Sequence, residues 1–126
     1  MLDFSARTWY NESKIIVDFN KLRELLAVCH HCASPCTVEN ILDQGGYVRY
    51  EIVCQSCRFS RQWANSEKRG QTPLINLQLS AGIAYTGSLP TKFLRTMMLL
   101  NIKAPTPRMF HHYQTKYLHG VSSALF

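Results

Sequence analysis

Apolar positions change their period several times along the first half of the chain. Ile15, Ile16 and Val17 form a short run that reads as a strand or an extended lead-in, and Leu22, Leu25 and Leu26 then recur at helical spacing. Asp18 or Asn20 can cap this segment and Phe19 can staple it, which predicts a short helix over about residues 20–28. From Thr37 to Leu42 the alternation is weak. It strengthens from Tyr47 to Val53, where Val48, Tyr50 and Ile52 fall on one face and Tyr47, Arg49 and Glu51 on the other. Between the two runs, Asp43, Gln44, Gly45 and Gly46 supply a turn in which paired glycines permit positive φ. Phe59, Arg61 and Trp63 alternate with Ser60, Gln62 and Ala64, predicting a third antiparallel strand.

The second half is helical in pattern. Residues 65–71 are polar, include Gly70 and read as a connector. The next segment fits either period: Ile75, Leu77, Leu79, Ala81 and Ile83 alternate like a strand, whereas Leu74, Leu77, Ala81 and Ala84 trace a helical stripe. Its ends favour a buried helix over about 73–86, because Thr72 followed by Pro73 starts a helix and Gly87 stops one. Ser88 or Thr91 opens a second helix near residues 90–100, with Phe93, Met97 and Leu100 on one side, Leu94 and Met98 beside them, and the methionines read as core filling. Thr106 and Pro107 repeat the cap-and-proline signal, and Gly120 closes a third helix over about 107–119. On it Phe110, Tyr113 and Tyr117 share one side, opposite Arg108, His111, His112, Thr115, Lys116 and His119. That stripe is either the recognition helix of a helix-turn-helix or the solvated face of an ordinary bundle. The fold expected is α+β: a lead-in over 1–14, a helix plus a small three-stranded ribbon over 15–64, a connector over 65–72 and a three-helix, helix-turn-helix-like bundle over 73–126.

Charge sharpens this division. The 126 residues carry a net charge of +6. Met1 to Cys57 has five basic residues against seven acidic ones, whereas Arg58 to Phe126 has nine against the single acid Glu67. Such asymmetry is what a polyanion-binding half looks like, although acidic protein partners attract basic halves too. Arg61, Lys68, Arg69, Lys92, Arg95, Arg108 and Lys116 are the candidate phosphate contacts, with His112 and Thr115 as candidate base-edge contacts. No run of about 18 apolar residues and no signal-like apolar core is present, so the reading is of an intracellular chain without a membrane span, nuclear if it binds DNA.

The densest chemistry lies in two Cys-x-x-Cys pairs, Cys29 with Cys32 and Cys54 with Cys57, separated by 21 residues. Four thiolates in two such pairs, joined by a hairpin, can close a tetrahedral shell around one structural Zn²⁺. Cys36 could stand in for Cys32, and His30 or His31 for a thiolate, though residues inside a knuckle usually point outward. A redox role would need a thioredoxin-like βαβ context, which the pattern lacks. Trp63 can stack on a base or seal the ribbon against the helices. Catalysis is poorly served: convergent carboxylates, a nucleophile elbow, a phosphate loop and a small-molecule site all lack candidates. The chain is therefore expected not to be an enzyme by itself.

Several of these landmarks occur in order: Ile16, Val17 and Asp18 before a leucine-rich helix, two Cys-x-x-Cys pairs around a hairpin, and Trp63 with Ser66 beyond it. They continue with Ile75 and Asn76, a small-residue helix ending at Gly87, then Phe93, Met98 to Ile102 before prolines, and Phe110 to Tyr117. In this order the chain resembles the N-terminal module of Mutator-like transposase-domain proteins, from Ile15 onward. The resemblance implies a zinc-containing, DNA-associated segment that precedes a ribonuclease H-like catalytic domain. The sequence ends at Phe126, where that domain would begin, so it is expected to be a fragment or a relative that keeps binding without chemistry. Arg58 replaces the residue usual after the second pair. A protein-interaction adaptor that docks on such a catalytic domain, or on another partner, is the alternative.

Overall fold

A computed structural model describes residues 13–118. It is α+β, with four α-helices, a three-stranded antiparallel sheet and a separate two-stranded hairpin. In chain order the elements are α1 (Phe19–Leu26), β1 (Cys36–Gln44), β2 (Tyr47–Cys54), β3 (Ser60–Ala64), β4 (Lys68–Arg69), β5 (Thr72–Pro73), α2 (Leu74–Thr86), α3 (Pro90–Leu99) and α4 (Pro107–Tyr113). The sheet order is β1-β2-β3. Cys36 pairs with Cys54 at one end and Gln44 with Tyr47 at the other, with one irregularity between Asn40 and Leu42.

The β2 alternation acts as expected. Val48, Tyr50 and Ile52 are buried and, with Leu26 of α1, make a core on which Leu22, Val38, Cys36 and Trp63 pack. Trp63 stacks on Tyr50, ring centroids 6.2 Å apart, and so seals the ribbon on the side of α1. Phe19 is the first residue of α1 and reaches across to Tyr50 at 5.3 Å; it does not staple its own helix. Asp18 occupies the cap position without a side-chain bond, while its carbonyl accepts from Lys21 and Leu22 N–H.

Two small clusters hold the helices. Leu77 and Tyr113 pack with Ala81, Ala84, Tyr85 and Met109, and Ile83, Leu94 and Phe110 with Ala104. The helical period of residues 74–86 prevails over the strand-like one because β5 ends at Pro73 and leaves the helix free to start. The start signal, however, is not Thr72. Thr72 pairs with Arg69 in the hairpin, and the first turn of α2 is closed from a distance: Ser66 Oγ accepts from Ile75 N–H (3.0 Å) and the Glu67 carbonyl from Leu74 N–H (2.8 Å). The α4 cap is local, Thr106 Oγ1 accepting from Met109 N–H at 3.1 Å.

Two further expectations change. Met98 and Leu100 do not fill a core, being 70% and 64% exposed, and Leu99 beside them is 81% exposed; Leu94 is the buried anchor of α3. The last helix keeps α geometry only to Tyr113 and continues as a π-helical turn over Gln114–Leu118. Thr115 and Lys116 lie on that turn and are exposed, as Arg108, His111 and His112 are on α4. The Tyr117 side chain, His119 and the stop at Gly120 lie outside what is described, as does most of the 1–14 lead-in.

The hairpin turn is not a solvent-facing tip. Asn76, fully buried near the start of α2, accepts from Gly46 N–H and donates to the Gln44 carbonyl, both at 2.7 Å. Asn65, the residue after β3, holds the same turn, donating to the Gly46 carbonyl and accepting from Val48 N–H, both at 2.9 Å. Gly45 has φ of 64°, and a Cβ there would stand 2.8 Å from both Asn76 Oδ1 and Met109 Cε. Nearby, Lys103 pairs with Asp43 at 3.1 Å. The end of the ribbon remote from the cysteine pairs is thus docked on the helical half.

Candidate metal centre

Each cysteine pair occupies a tight loop of the same design. In the first, Cys29 N–H donates to the Ser34 carbonyl, Ala33 N–H donates to the Cys29 carbonyl, and Cys36 N–H donates to the Ala27 carbonyl. In the second, Cys54 N–H donates to the Phe59 carbonyl. The residue after each second cysteine, Ala33 (φ 62°) and Arg58 (φ 66°), adopts the left-handed conformation that reverses the chain. Gln55 N–H donates to the Pro35 carbonyl at 3.3 Å, tying one loop to the other. His31 stacks on Phe59 with centroids 4.2 Å apart, adding a second tie.

The loops bring four sulfur atoms together, those of Cys29, Cys32, Cys54 and Cys57, all within 4.8 Å of one another. Cys29 Sγ lies 3.6 Å from Cys57 Sγ and Cys32 Sγ 3.5 Å from Cys54 Sγ. Four sulfurs placed tetrahedrally around an ion at about 2.3 Å are about 3.8 Å apart, so the set is sized for one metal ion. Backbone N–H groups point at the sulfurs as well: His31 at Cys29 (3.3 Å), Ser56 at Cys54 (3.3 Å) and Cys57 at Cys54 (3.4 Å). Such donors stabilise sulfur in its anionic, ligating form. Cys29 and Cys54 are buried while Cys32 and Cys57 are exposed, so each pair offers one inner and one outer thiol.

The electrostatics fit a cation in the same place. The Cys57 N–H, opposed by burial and helped by that of Ser56, brings the Cys54 thiol down to about 6. At Cys29, burial raises the thiol but the N–H groups of Cys32 and His31 outweigh it, and the net direction is down. At Cys57 the Phe59 N–H pulls down, yet burial and the thiols of Cys29, Cys54 and Cys32 prevail and push it up to about 12. Four thiolates in this space repel one another, and a divalent ion removes that penalty.

Cys36 and the two histidines are not part of the group. Cys36 is half-buried, its thiol donating to the Ser34 carbonyl at 3.7 Å and raised by burial and by the neighbouring Cys54 and Cys29. The histidines are exposed, as expected of knuckle-internal residues.

The candidate nucleic-acid contacts fall into three groups, on the β4–β5 hairpin, on α3 and on α4. Arg61 stands apart: half-buried on β3, its Nη2 donates to the Leu26 carbonyl at 3.4 Å and closes the end of α1. Lys68 Nζ lies 5.0 Å from the Tyr47 ring centroid, and Arg69 is exposed. Lys92 and Arg95 are exposed on α3, Arg108 and His112 on α4, and Lys116 on the π turn. Thr115 Oγ1 donates to the His111 carbonyl at 2.9 Å, which ties its hydroxyl to the helix. The roles of Asn76, which joins the two halves, and of Asn65, which holds the ribbon's turn, escape a reading of the sequence; the only signal is a pair of glycines whose spatial neighbours are not encoded locally.

No helix among the described residues is long and apolar enough to cross a membrane. No protein-family model matches the chain, and no curated protein or solved structure matches it either.

Proposed function

We propose that the chain is a zinc-binding, DNA-binding module in which one structural Zn²⁺ staples the ribbon and the basic half contacts nucleic acid. The observation that carries the metal is the set of four cysteine sulfurs within 4.8 Å. Four protein thiolates complete the shell and leave no position for water or substrate, which is the arrangement of a structural ion. Zinc is preferred to iron because the site needs no redox role and the knuckles follow the spacing of zinc ribbons. On this reading the module resembles the N-terminal part of a Mutator-like transposase, acts in the nucleus and contributes binding, with catalysis left to another domain.

The nine-to-one excess of basic residues from Arg58 onward supports DNA as the partner. Lys92, Arg95 and Arg108 are exposed and have no ion-pair partner among the described residues, so their charge is free to meet phosphates. The helix-turn-helix form of this reading has α4 as the presented helix. It requires a connector of seven residues between α3 and α4, longer than the usual three or four. Elemental analysis beside a DNA titration with and without chelator tests the whole reading. One zinc per chain and salt-sensitive duplex binding are expected; two ions, iron, or no binding to any duplex at low salt would reject it.

One observation favours the alternative, a protein-interaction adaptor: Leu89, Met98, Leu99 and Leu100 present apolar surface at the two ends of α3. Charge reversal at Arg108 and Lys116 separates the two. Unchanged DNA affinity together with loss of a co-purifying protein would select the adaptor.

A further inference from the structure

The strongest unexplained charge grouping lies where the ribbon meets the β4–β5 hairpin. Lys68 Nζ is 5.0 Å and Arg49 Cζ 5.8 Å from the centroid of the same ring, that of Tyr47. Tyr47 is buried, 3% exposed, so the ring is a fixed base on which both cations rest. Arg49 also donates from Nε and Nη2 to the Tyr47 hydroxyl, at 3.4 and 3.3 Å. Arg69 follows Lys68 directly and is exposed. None of the three has a carboxylate partner within 4.0 Å among the described residues. Cations gathered from two elements without a counter-charge repel one another, and an outside polyanion relieves that repulsion.

The shape of the hairpin suits such a partner. Its turn is Gly70 and Gln71, both exposed, and nothing lies within 4 Å of the position a Cβ would take on Gly70. A tip bare of side chain at its first residue lets a phosphate approach the backbone closely. Lys68 and Arg69 themselves belong to the basic half.

We propose that the β4–β5 hairpin and Arg49 form a phosphate clamp for duplex DNA, with Lys68 and Arg49 resting on Tyr47 and Arg69 next to Lys68 on the same strand. It rests on the DNA-binding reading and gives that reading a contact on the ribbon side of the molecule. Lys68 and Arg69 are sequence candidates; Arg49 is added because the fold brings it to the ring on which Lys68 rests.

The test is fluorescence anisotropy of a labelled 20-base-pair duplex with the full zinc-loaded chain over a potassium chloride series. The variant R49Q/K68Q/R69Q is expected to bind at least about tenfold more weakly at low salt. Its dependence of log K on log salt should be shallower by about 2 to 3, near 0.9 for each phosphate that is no longer neutralised. R69Q alone, at an exposed side chain, should lower the slope by about 0.9 and R69K should restore it, which keeps the test valid if the triple variant fails to fold. K21Q, on α1, should leave the slope unchanged. Parental affinity and slope in the triple variant, with zinc content and melting temperature intact and with R108Q/K116Q impaired, would sink the clamp and leave DNA binding standing. Failure of the parent chain to bind any duplex would instead sink the DNA reading and the clamp with it.

Discussion

Asn76 serves a turn thirty residues away in the sequence. Its amide, itself fully buried, meets two needs of one turn, the Gly46 N–H and the Gln44 carbonyl. Truncation in Asn76→Ala leaves both groups unpaired and should cost about 2–4 kcal/mol, read from denaturant unfolding. A cost below about 0.5 kcal/mol would show that the turn finds other partners. A second residue-scale prediction runs opposite to habit. Ala33 and Arg58 hold φ values of 62° and 66°, where a Cβ is strained and glycine is not. Arg58→Gly should therefore stabilise the metal-loaded chain by about 1 kcal/mol and raise its melting temperature, although glycine in a loop usually lowers it.

Elements differ in how legible they are in the sequence. Strand β2 is legible because burial imposes its period directly, with Val48, Tyr50 and Ile52 inside, whereas helix α2, whose period fits both readings, is legible from its ends, Pro73 and Gly87. The four clustered cysteines are legible for another reason, since a two-residue spacer is a local requirement of the site. Contacts between distant segments are not. Nothing near Thr72 tells that Ser66, nine residues before Ile75, caps α2, or that Arg61 closes α1. Met98 departs from its expected place because the helical period marks which residues share a face and says nothing of whether a neighbour covers it. The α1 contact is testable at this scale. Leu26 is the buried point of the helix in the ribbon core, and Leu26→Ala should cost about 2–4 kcal/mol by denaturant unfolding while the cysteine set still takes up one metal.

For the whole molecule, stability should depend on metal and charge. Two of the four thiols are exposed, so a chelator can reach the site; its removal of the ion should unfold the ribbon, with a loss on the order of 10 kcal/mol followed by circular dichroism. Retention of the sheet signal in excess chelator would contradict a structural ion. Asp43 makes a smaller, pH-dependent contribution. The Asn40 amide at 3.0 Å, opposed by burial and helped by the Lys103 ammonium, holds its carboxyl below the usual range. A folded value below the unfolded one means stability present above the unfolded value and lost as pH falls through the folded one. Because the pair is about half exposed, the amount should stay under about 1 kcal/mol. The difference in denaturant midpoint between the parent chain and Asp43→Asn should accordingly close as the solution is acidified.

The buried hairpin turn also fixes where this protein can be cut. A division in the polar stretch after Ala64 looks harmless on the surface, yet it would part Gly46 from Asn76 and Asp43 from Lys103, and would strip Gly45 of the cover given by Met109. An isolated ribbon would carry an uncovered turn, and isolated helices an asparagine with nothing to hold. Dissection into halves should thus report the behaviour of two damaged pieces, each short of the contacts that seat this turn.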